Sequence, residues 1–228
     1  MSLESELRQE IKWFGHASFF ITDFANKSRI YFLDPFDLKA AKEKADIIFI
    51  THLHYDHCSP EDVRKILKSD TIIVSVPGCM EKMNLPNKIV HASPNKEFSV
   101  NGIKVKTVPA YNIKKERLNY HPKANNWVGY ILYVNSKSIY HAGDTDFIPE
   151  MKELDEKLTV AMLPIGGTYT MDVEEAIEAA NAIKAEITIP MHYKRLLGEK
   201  YKEAEKKFIA GVKGKVLILD DLGEGHHD

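Results

Sequence analysis

Residues 51–58 read THLHYDHC, so three histidines and one aspartate fall within residues 52–57. They directly follow ADIIFI, a continuous apolar run that is typical of a strand covered on both faces. Neutral imidazole and carboxylate groups are good ligands for zinc and similar ions. A lone histidine in a loop is most often an ordinary polar residue, but an H-x-H-x-D-H run at the end of a strand indicates a metal site.

The spacing within this run favours two metal ions over one. His52 and His54 stand two residues apart and can project to the same side of an extended segment. Asp56 and His57 are adjacent, so their side chains tend to diverge. One ion cannot easily take all four groups, whereas two ions roughly 3.5–4 Å apart can take one pair each and clamp a bridging hydroxide.

Further candidate ligands follow other predicted strands. Asp144 follows KSIYHAG, His192 follows ITIPM, and Tyr111 and Asn112 follow VKTVPA. Sites are commonly built from loops at one edge of a rigid sheet. We therefore expect Asp144 to bridge the two ions and His192 to complete the second site.

The composition excludes several functional classes. Of the 228 residues, 44% are hydrophobic and 28% are charged, and the net charge is −2. This charge gives no general basis for binding nucleic acid, so the expected partner is a small-molecule substrate. The sequence predicts neither a secretory signal nor a run approaching the ~18 apolar residues of a membrane span. Two cysteines in a chain of this length fit a reducing compartment, and we expect a cytoplasmic protein.

The order of the predicted elements indicates a mixed α/β fold. Strands dominate the first third, a helix begins after Ser59, and Asn101-Gly102 marks a hairpin turn between two further strands. Another helix begins at Asp172 and has its apolar positions on one face. Hairpins are too numerous for a doubly wound sheet, so we predict two sheets stacked face to face with helices outside.

These elements are predicted to form one hydrolase domain over residues 1–225. The sequence contains no low-complexity segment or long linker that would indicate a boundary within this range. Residues 226–228 are interpreted as a tail outside the domain, and the two histidines in it are not assigned to the site. The sequence does not specify an oligomeric state.

The chain resembles the metallo-β-lactamase fold superfamily of metal-dependent hydrolases. THLHYDH is similar to its H-x-H-x-D-H signature, AGDT to its bridging-aspartate segment, and PMHY to the segment of its last histidine. GHASF, LDPF and LPIGGTYTM look more like the branch that contains L-ascorbate-6-phosphate lactonase and N-acyl-phosphatidylethanolamine phospholipase D. The resemblance covers roughly residues 11 to 195 of the chain.

The resemblance implies a four-layer αβ/βα sandwich with two divalent metal ions at one sheet edge. The expected ion is zinc, with manganese or iron in some members. Carried over by position, the ligands of the first ion are His52, His54 and Asp144, and those of the second are Asp56, His57, Asp144 and His192. Asp56 would also orient the attacking water, and Asp34 would support the histidine loop from behind the ligands.

One ligand is missing from its usual place. The superfamily normally supplies another histidine for the first ion after the strand that here ends TVPAYN. This chain has Tyr111 and Asn112 at that point, and its nearest histidine is His121. We predict that the loop folds back so that His121 becomes a ligand. The alternative is that Asn112 or water takes the position.

Other polar residues have less specific interpretations. His16 and His141 are expected to be hydrogen-bonded histidines near the site, with a supporting or substrate-binding role left open. Cys58 is expected to be a buried thiol. The segment NIKKERLNYHPK contains four cations and is interpreted either as a lid for an anionic substrate group or as a solvated loop. Those cations are Lys114, Lys115, Arg117 and Lys123.

The predicted function is hydrolysis of a small lactone, ester or phosphodiester by a hydroxide that bridges the metals, and both anionic and uncharged substrates fit this prediction. An amidohydrolase barrel is disfavoured, because that fold usually needs about 250 residues and regular strand–helix alternation. Two alternatives stay open. One is a metal-binding regulatory domain without turnover, and the other is a metallo-β-lactamase-type nuclease.

Overall fold

The computed structural model describes residues 1–27, 29–39, 41–154 and 157–223, so the tail 226–228 lies outside the described residues. The chain forms two compact units. The first comprises Met1–Ala92 and the chain from Leu219 onward, and the second comprises Ser93–Ile218. Each unit is built on one β-sheet with helices. The predicted class, mixed α/β with two sheets, is confirmed.

The first unit contains a six-stranded sheet in the order β1-β2-β3-β4-β5-β6. Its strands are β1 (Ile11–Trp13), β2 (Phe19–Asp23), β3 (Arg29–Leu33), β4 (Ile47–Ile50), β5 (Ile72–Ser75) and β6 (Ile89–His91). Its helices are α1 (Leu3–Glu10), α2 (Pro60–Ile66) and α3 (Cys79–Met83). The strands from β3 to β6 run parallel, while β1, β2 and β3 pair antiparallel.

The parallel strands deliver the motif to one sheet edge. Leu33 of β3 pairs with Phe49 of β4, so both strands end at the same level of the sheet. Asp34 and Thr51 follow these ends and are fully buried. All four residues of β4 are buried as well, as its continuous apolar run predicted. The H-x-H-x-D-H run therefore follows a strand whose position is set by packing on both faces.

Helix α2 starts as its sequence predicted. The Ser59 side chain accepts a hydrogen bond from the Asp62 backbone N–H, and Pro60 occupies the first helical turn. The Asp62 carboxylate accepts from the backbone N–H groups of Asp37 and Leu38 at 3.0 Å each, and from Lys65 Nζ at 2.9 Å. Asp62 thus ties the chain that follows β3 to the helix that follows the metal-type motif.

We expect Asp62→Asn to destabilise the protein most near neutral pH. Burial alone would raise the pKa of Asp62, but hydrogen bonds from Lys65, Ser59 and two backbone amides outweigh burial and lower it. A lowered folded-state pKa means that the stabilisation is present above the unfolded value of about 3.9 and is lost as the pH falls below it. The variant should lose about 1–3 kcal/mol of unfolding free energy at pH 7.

Urea denaturation of both proteins at pH 7 and again below pH 4 measures this difference. Asp70→Asn removes an aspartate side chain that is 78% exposed, so it serves as the control and should change little. An equal loss of stability at both pH values would contradict the expected role of the ionised carboxylate.

The second unit contains a seven-stranded sheet in the order β13-β12-β11-β10-β9-β8-β7. Its strands are β7 (Glu97–Val100), β8 (Ile103–Pro109), β9 (Val128–Val134), β10 (Lys137–His141), β11 (Val160–Pro164), β12 (Ile187–Met191) and β13 (Lys215–Val216). Its helices are α4 (Pro149–Lys152), α5 (Val173–Ile183), α6 (Lys194–Leu197) and α7 (Tyr201–Gly211).

Strand direction again gathers polar residues at one edge of this sheet. Strands β10 to β13 pair in parallel, and β8 runs in the same direction because it is antiparallel to β9, which is antiparallel to β10. Asn112 lies beyond the end of β8, Asp144 beyond β10 and His192 directly after β12. The chemistry-bearing residues of this unit thus share the carboxyl ends of strands with a common direction.

Two local sequence signals in the second unit, a hairpin turn and a helix cap, predicted its structure correctly. Asn101 and Gly102 have φ values of 48° and 89°, and Val100 pairs with Ile103, as a tight hairpin requires. The Asp172 side chain caps α5 by accepting from the Glu175 backbone N–H at 2.8 Å. These turn and cap residues are confirmed in the roles that the sequence predicted.

The sequence interpretation differs from the structure at both ends of the chain. Residues Leu3–Glu10 form a helix whose cap is Ser2, although the sequence predicted no helix before Ser59. The segment KVLILDDLG contributes only Lys215–Val216 to a strand. Beyond it, Asp221 forms an isolated parallel bridge with Trp13 of the first sheet. The helix Leu3–Glu10 and the strand Lys215–Val216 are both short. Short elements show little hydrophobic periodicity, which explains why the sequence pattern did not predict them correctly.

Candidate metal centre

Asp34 anchors the histidine loop of the first unit. Its Oδ1 accepts a hydrogen bond from the Thr51 backbone N–H at 2.8 Å. Its Oδ2 accepts from the Thr51 hydroxyl at 2.7 Å and from His57 Nδ1 at 2.8 Å. Both the Asp34 and the His57 side chains are fully buried. Asp34 therefore holds one histidine directly and the start of the motif through Thr51.

These contacts determine which nitrogen of each imidazole bears the proton. An ionised carboxylate only accepts, so His57 donates through Nδ1 and presents Nε2 as a lone pair. The Thr51 hydroxyl donates its proton to Asp34, so its contact of 2.8 Å with His52 is accepted from His52 Nδ1. Both histidines are thus held in the form that binds a metal through Nε2.

The remaining motif residues extend this group within the first unit. His52 Nε2 lies 3.1 Å from His54 Nδ1, so the H-x-H pair brings two ring nitrogens together. His16 Nε2 lies 2.9 Å from Asp56 Oδ2, and the His16 and His57 rings are 5.2 Å apart between centroids. His16 therefore contacts the motif itself, through the carboxylate of Asp56.

Asp144 is the centre of the corresponding group in the second unit. Its Oδ2 lies 3.3 Å from His121 Nε2 and 3.1 Å from His192 Nε2. All three side chains are at least 97% buried, with exposed fractions of 1% for each histidine and 3% for Asp144. Two imidazole nitrogens around one buried carboxylate oxygen form a donor set that suits zinc and similar divalent ions.

The Asn112 amide holds His121 in this arrangement. Its Oδ1 accepts from the His121 backbone N–H at 3.0 Å and from His121 Nδ1 at 2.8 Å. Its Nδ2 donates to Asp146 Oδ1 at 2.9 Å and to the Tyr169 carbonyl oxygen at 3.0 Å. Because Nδ1 donates, a neutral His121 directs the lone pair of Nε2 toward Asp144. Asn112 therefore lies behind His121, with its oxygen and nitrogen both engaged.

Asp146 organises the loop that contains Asn112 and His121. Its Oδ2 accepts from the backbone N–H groups of Ile113 and Lys114 at 2.8 Å each, and Arg117 Nε lies 3.0 Å from its Oδ1. Asp146 was not among the predicted site residues. Its position two residues after Asp144 in AGDTD is the only sequence signal that could have drawn attention to it.

Most cations of the segment that was interpreted either as a lid or as a solvated loop are paired with carboxylates in the structure. Arg117 is 97% buried and pairs with Asp146 and with Glu175, whose Oε2 is 2.6 Å from Arg117. Lys114 pairs with the same Glu175 at 2.9 Å, and Lys123 pairs with Glu150 at 3.1 Å. Carboxylates therefore compensate three of the four cations, and the pKa of Lys114 is raised, chiefly by the hydrogen bond to Glu175.

The backbone is strained at several of these positions. His16, Asp34 and His192 have φ values of 50°, 43° and 58°, a region that side chains other than glycine rarely adopt. A Cβ atom at Gly166 would lie 2.3 Å from the His192 carbonyl oxygen, so the close approach at the end of β11 requires glycine. Strain of this kind, about 1–3 kcal/mol per residue, tends to concentrate at functional sites.

The structure thus groups the predicted site residues within each unit. The first unit brings together His16, Asp34, His52, His54, Asp56 and His57, and the second brings together His121, Asp144 and His192. His141 is buried, and its Nδ1 accepts from the Gly143 backbone N–H at 3.2 Å, which fits a hydrogen-bonded structural histidine. Cys58 is buried as predicted.

Comparisons with known proteins also indicate a metal-dependent hydrolase. The beta-lactamase superfamily domain matches residues 10–192 of this chain. A metal-dependent hydrolase from Thermoplasma acidophilum is 33% identical over 224 residues, which cover 93% of this chain and 96% of the relative. The chain belongs to the metallo-β-lactamase superfamily.

Two solved structures of proteins named as metal hydrolases are similar to this chain. A protein from Parabacteroides distasonis that is named as a metal-dependent hydrolase has 33% sequence identity and a TM-score of 0.78, and the match covers 92% of this chain and 93% of that chain. Igni18, a metallo hydrolase from Ignicoccus hospitalis, has 24% identity and a TM-score of 0.74 over 92% of this chain and 94% of its own. At 24% identity the similarity shows the fold alone.

Three predictions are confirmed: the metallo-β-lactamase superfamily, its fold, and the class of metal-dependent hydrolase. The narrower resemblance to the lactonase and phospholipase D branch stays a prediction. Across the described ranges of the chain, no helix combines the length and the apolar character that crossing a bilayer requires.

Proposed function

We propose that this superfamily member is a binuclear metal hydrolase. The ligands we assign are His52, His54, Asp56, His57, His121, Asp144 and His192. The observation that carries the proposal is the pair of buried imidazole nitrogens within 3.3 Å of one Asp144 oxygen. Zinc is the ion that imidazole and carboxylate favour, and manganese or iron are alternatives. The metal count rests on the family resemblance and on the spacing within the H-x-H-x-D-H run.

We assign His121, and not Asn112, as the ligand that replaces the histidine missing after β8. The Asn112 oxygen already accepts two hydrogen bonds from His121. Using that oxygen as a ligand would release the ring of His121, whose Nε2 is directed at Asp144. The amide therefore suits the role of an outer residue that sets the orientation and tautomer of a ligating histidine.

Bound divalent ions supply Lewis acidity, which brings the pKa of a water toward neutrality and stabilises negative charge on oxygen. The chain supplies the positioning and the proton transfer. We assign Asp56, whose Oδ2 lies 2.9 Å from His16 Nε2, to orient the attacking water, accept its proton and return that proton to the leaving oxygen. His16 keeps this carboxylate in one orientation. Asp34 does the same for His57 through its Oδ2.

The substrate class we propose is a small carboxylic ester, lactone or phosphodiester. Two alternatives remain, a metal-binding regulatory domain without turnover and a nuclease of the same fold. The net charge of −2 argues against a nucleic acid substrate. We also propose a cytoplasmic location, which the presence of only two cysteines in 228 residues supports.

Metal stoichiometry and turnover measured on the same samples test this function. After chelation and reloading with zinc, mass spectrometry should find about two ions per chain, as a binuclear site requires. Hydrolysis of 4-nitrophenyl acetate, γ-butyrolactone or bis(4-nitrophenyl) phosphate should disappear with chelator and return with metal. Turnover that chelation leaves unchanged would contradict the proposal.

The same samples separate the alternatives. A chain that binds metal but hydrolyses none of these compounds would favour the regulatory domain. Cleavage of single-stranded RNA or DNA with no activity on the small substrates would favour the nuclease. Reloading with manganese or iron(II) in place of zinc shows which ion supports the highest rate.

A further inference from the structure

The loop from Asn112 to His121 has an unusual distribution of charge and apolar surface. Its base is closed by a hydrogen bond of 2.9 Å from the Asn112 backbone N–H to the His121 carbonyl oxygen. Its buried guanidinium, Arg117, donates to the Thr170 carbonyl oxygen and pairs with two carboxylates. An ordinary surface loop exposes its charges, whereas this loop places its arginine in the interior.

The same loop exposes its apolar side chains. Ile113, Leu118 and Tyr120 are 47%, 45% and 40% exposed. Tyr169, which is 38% exposed, packs edge-on against Tyr120 with ring centroids 4.8 Å apart. We call the pair Tyr120 and Tyr169 the tyrosine ledge. Hydrogen bonds and ion pairs fix this loop, yet it exposes apolar side chains. Apolar side chains grouped on the surface of a fixed loop indicate a binding surface.

Hydrogen bonds connect the tyrosine ledge to the candidate metal centre of its own unit. Tyr120 directly precedes His121, and the Tyr169 carbonyl oxygen accepts from Asn112 Nδ2 at 3.0 Å. The same Asn112 side chain accepts from His121 Nδ1 at 2.8 Å. Both tyrosines of the ledge are therefore joined through the backbone to the residues that hold His121 next to Asp144.

We propose that the tyrosine ledge binds the apolar chain of an ester or lactone substrate, so that Tyr120 and Tyr169 determine specificity. This rests on the proposed hydrolase function. Lys114 and Arg117 of the loop pair with Asp146 and Glu175, and Lys123 just beyond it pairs with Glu150, so three of the four cations of this segment are compensated and an anionic group is not favoured there. Apolar surface on the loop that carries His121 favours alkyl or aromatic substituents, because their burial contributes to binding in proportion to area.

Chain-length selectivity tests the proposal. The zinc-loaded protein should hydrolyse 4-nitrophenyl hexanoate with a kcat/KM about tenfold or more above that for 4-nitrophenyl acetate. Tyr120→Ala and Tyr169→Ala should remove most of this preference, chiefly by raising KM for the hexanoate more than KM for the acetate. Tyr120→Phe keeps the ring and should retain the preference. Ile209→Ala removes an apolar side chain that is 50% exposed on α7 and is the matched control.

A binding measurement separates this proposal from the proposed function. Calorimetry with hexanamide and acetamide, both uncharged, should show tighter binding of hexanamide, and Tyr120→Ala should abolish the difference. If no substrate is turned over but this binding pattern holds, the ledge is supported and the hydrolase function fails. If turnover occurs without chain-length dependence, the ledge proposal is overturned and the function stands.

The ledge has one rival occupant, a lipid surface. Co-sedimentation with neutral phosphatidylcholine vesicles tests it directly with the same variants. Vesicle binding that Tyr120→Ala and Tyr169→Ala abolish, with chain-length selectivity unaffected, would overturn the substrate proposal in favour of membrane docking. Absence of vesicle binding together with altered selectivity would support it.

Discussion

Asp144→Asn is expected to reduce hydrolysis by about 10³-fold or more and to remove most of the bound metal. The amide has nearly the size of the carboxylate, but it lacks the negative charge that two imidazoles surround at 3.3 and 3.1 Å. The resemblance assigns Asp144 to both ions, so both should be affected. Metal content per chain and kcat/KM on the best substrate of the panel measure the outcome.

Asp70→Asn provides the matched control for this variant. Its side chain is 78% exposed and lies 4.0 Å from Lys68, so the substitution changes charge by the same amount away from the histidines. Thermal unfolding of both variants should show that they remain folded. Full activity and two ions per chain in Asp144→Asn would refute the assigned ligand set.

His121→Ala should produce the second largest loss, about 10²- to 10³-fold in activity, with one of two ions bound much more weakly. The physical reason is the loss of a ligand nitrogen that Asn112 holds in place through Nδ1. Titration of the metal-free protein with zinc, followed by calorimetry, should resolve the weakened site. The same titration of Asn112→Ala should show a smaller effect, about 10- to 100-fold in affinity, as for other outer-shell residues.

His91→Ala is the appropriate control, because His91 is an exposed histidine at the end of β6. It should leave metal content and activity unchanged. Retention of both ions and of full activity in His121→Ala would show that His121 is not a ligand. A larger loss in Asn112→Ala than in His121→Ala would instead favour Asn112 as the ligand.

The sequence predicted the fold class correctly because fold class depends on local patterns, and the assigned ligands, which stay predictions, come from the same kind of pattern. The apolar run of β4 and the adjacent H-x-H-x-D-H residues follow directly from the order of side chains along the chain. Positions after β10 and β12 were found in the same way, since strands that run in one direction end at one edge. Turn and cap signals such as Asn101-Gly102 and Asp172 are equally local.

The interpretation of the 112–121 loop was less accurate, because its structure depends on partners distant in sequence. The sequence left Arg117 open as part of either an anion-binding lid or a solvated loop, whereas in the structure it is buried and pairs with Asp146 and Glu175. The sequence left Asn112 open as an alternative ligand. It did not reveal that the Asn112 amide donates hydrogen bonds to Asp146 and to the Tyr169 carbonyl oxygen. A pattern in one sequence does not reveal which carboxylate a cation meets or which atoms an amide contacts.

The oxygen atoms that accept hydrogen bonds from the imidazole Nδ1 atoms affect which metal ions the protein binds. Asp34, Thr51 and Asn112 hold the Nδ1 atoms of His57, His52 and His121 through hydrogen bonds to protein atoms. The protein's own groups therefore orient these rings. A site built from imidazole and carboxylate groups selects weakly among first-row divalent ions, whose affinities follow a general order. We expect the ion found in the purified protein to vary with the supply in the growth medium, so that expression in manganese-enriched and zinc-enriched cultures gives different occupants of the same folded chain.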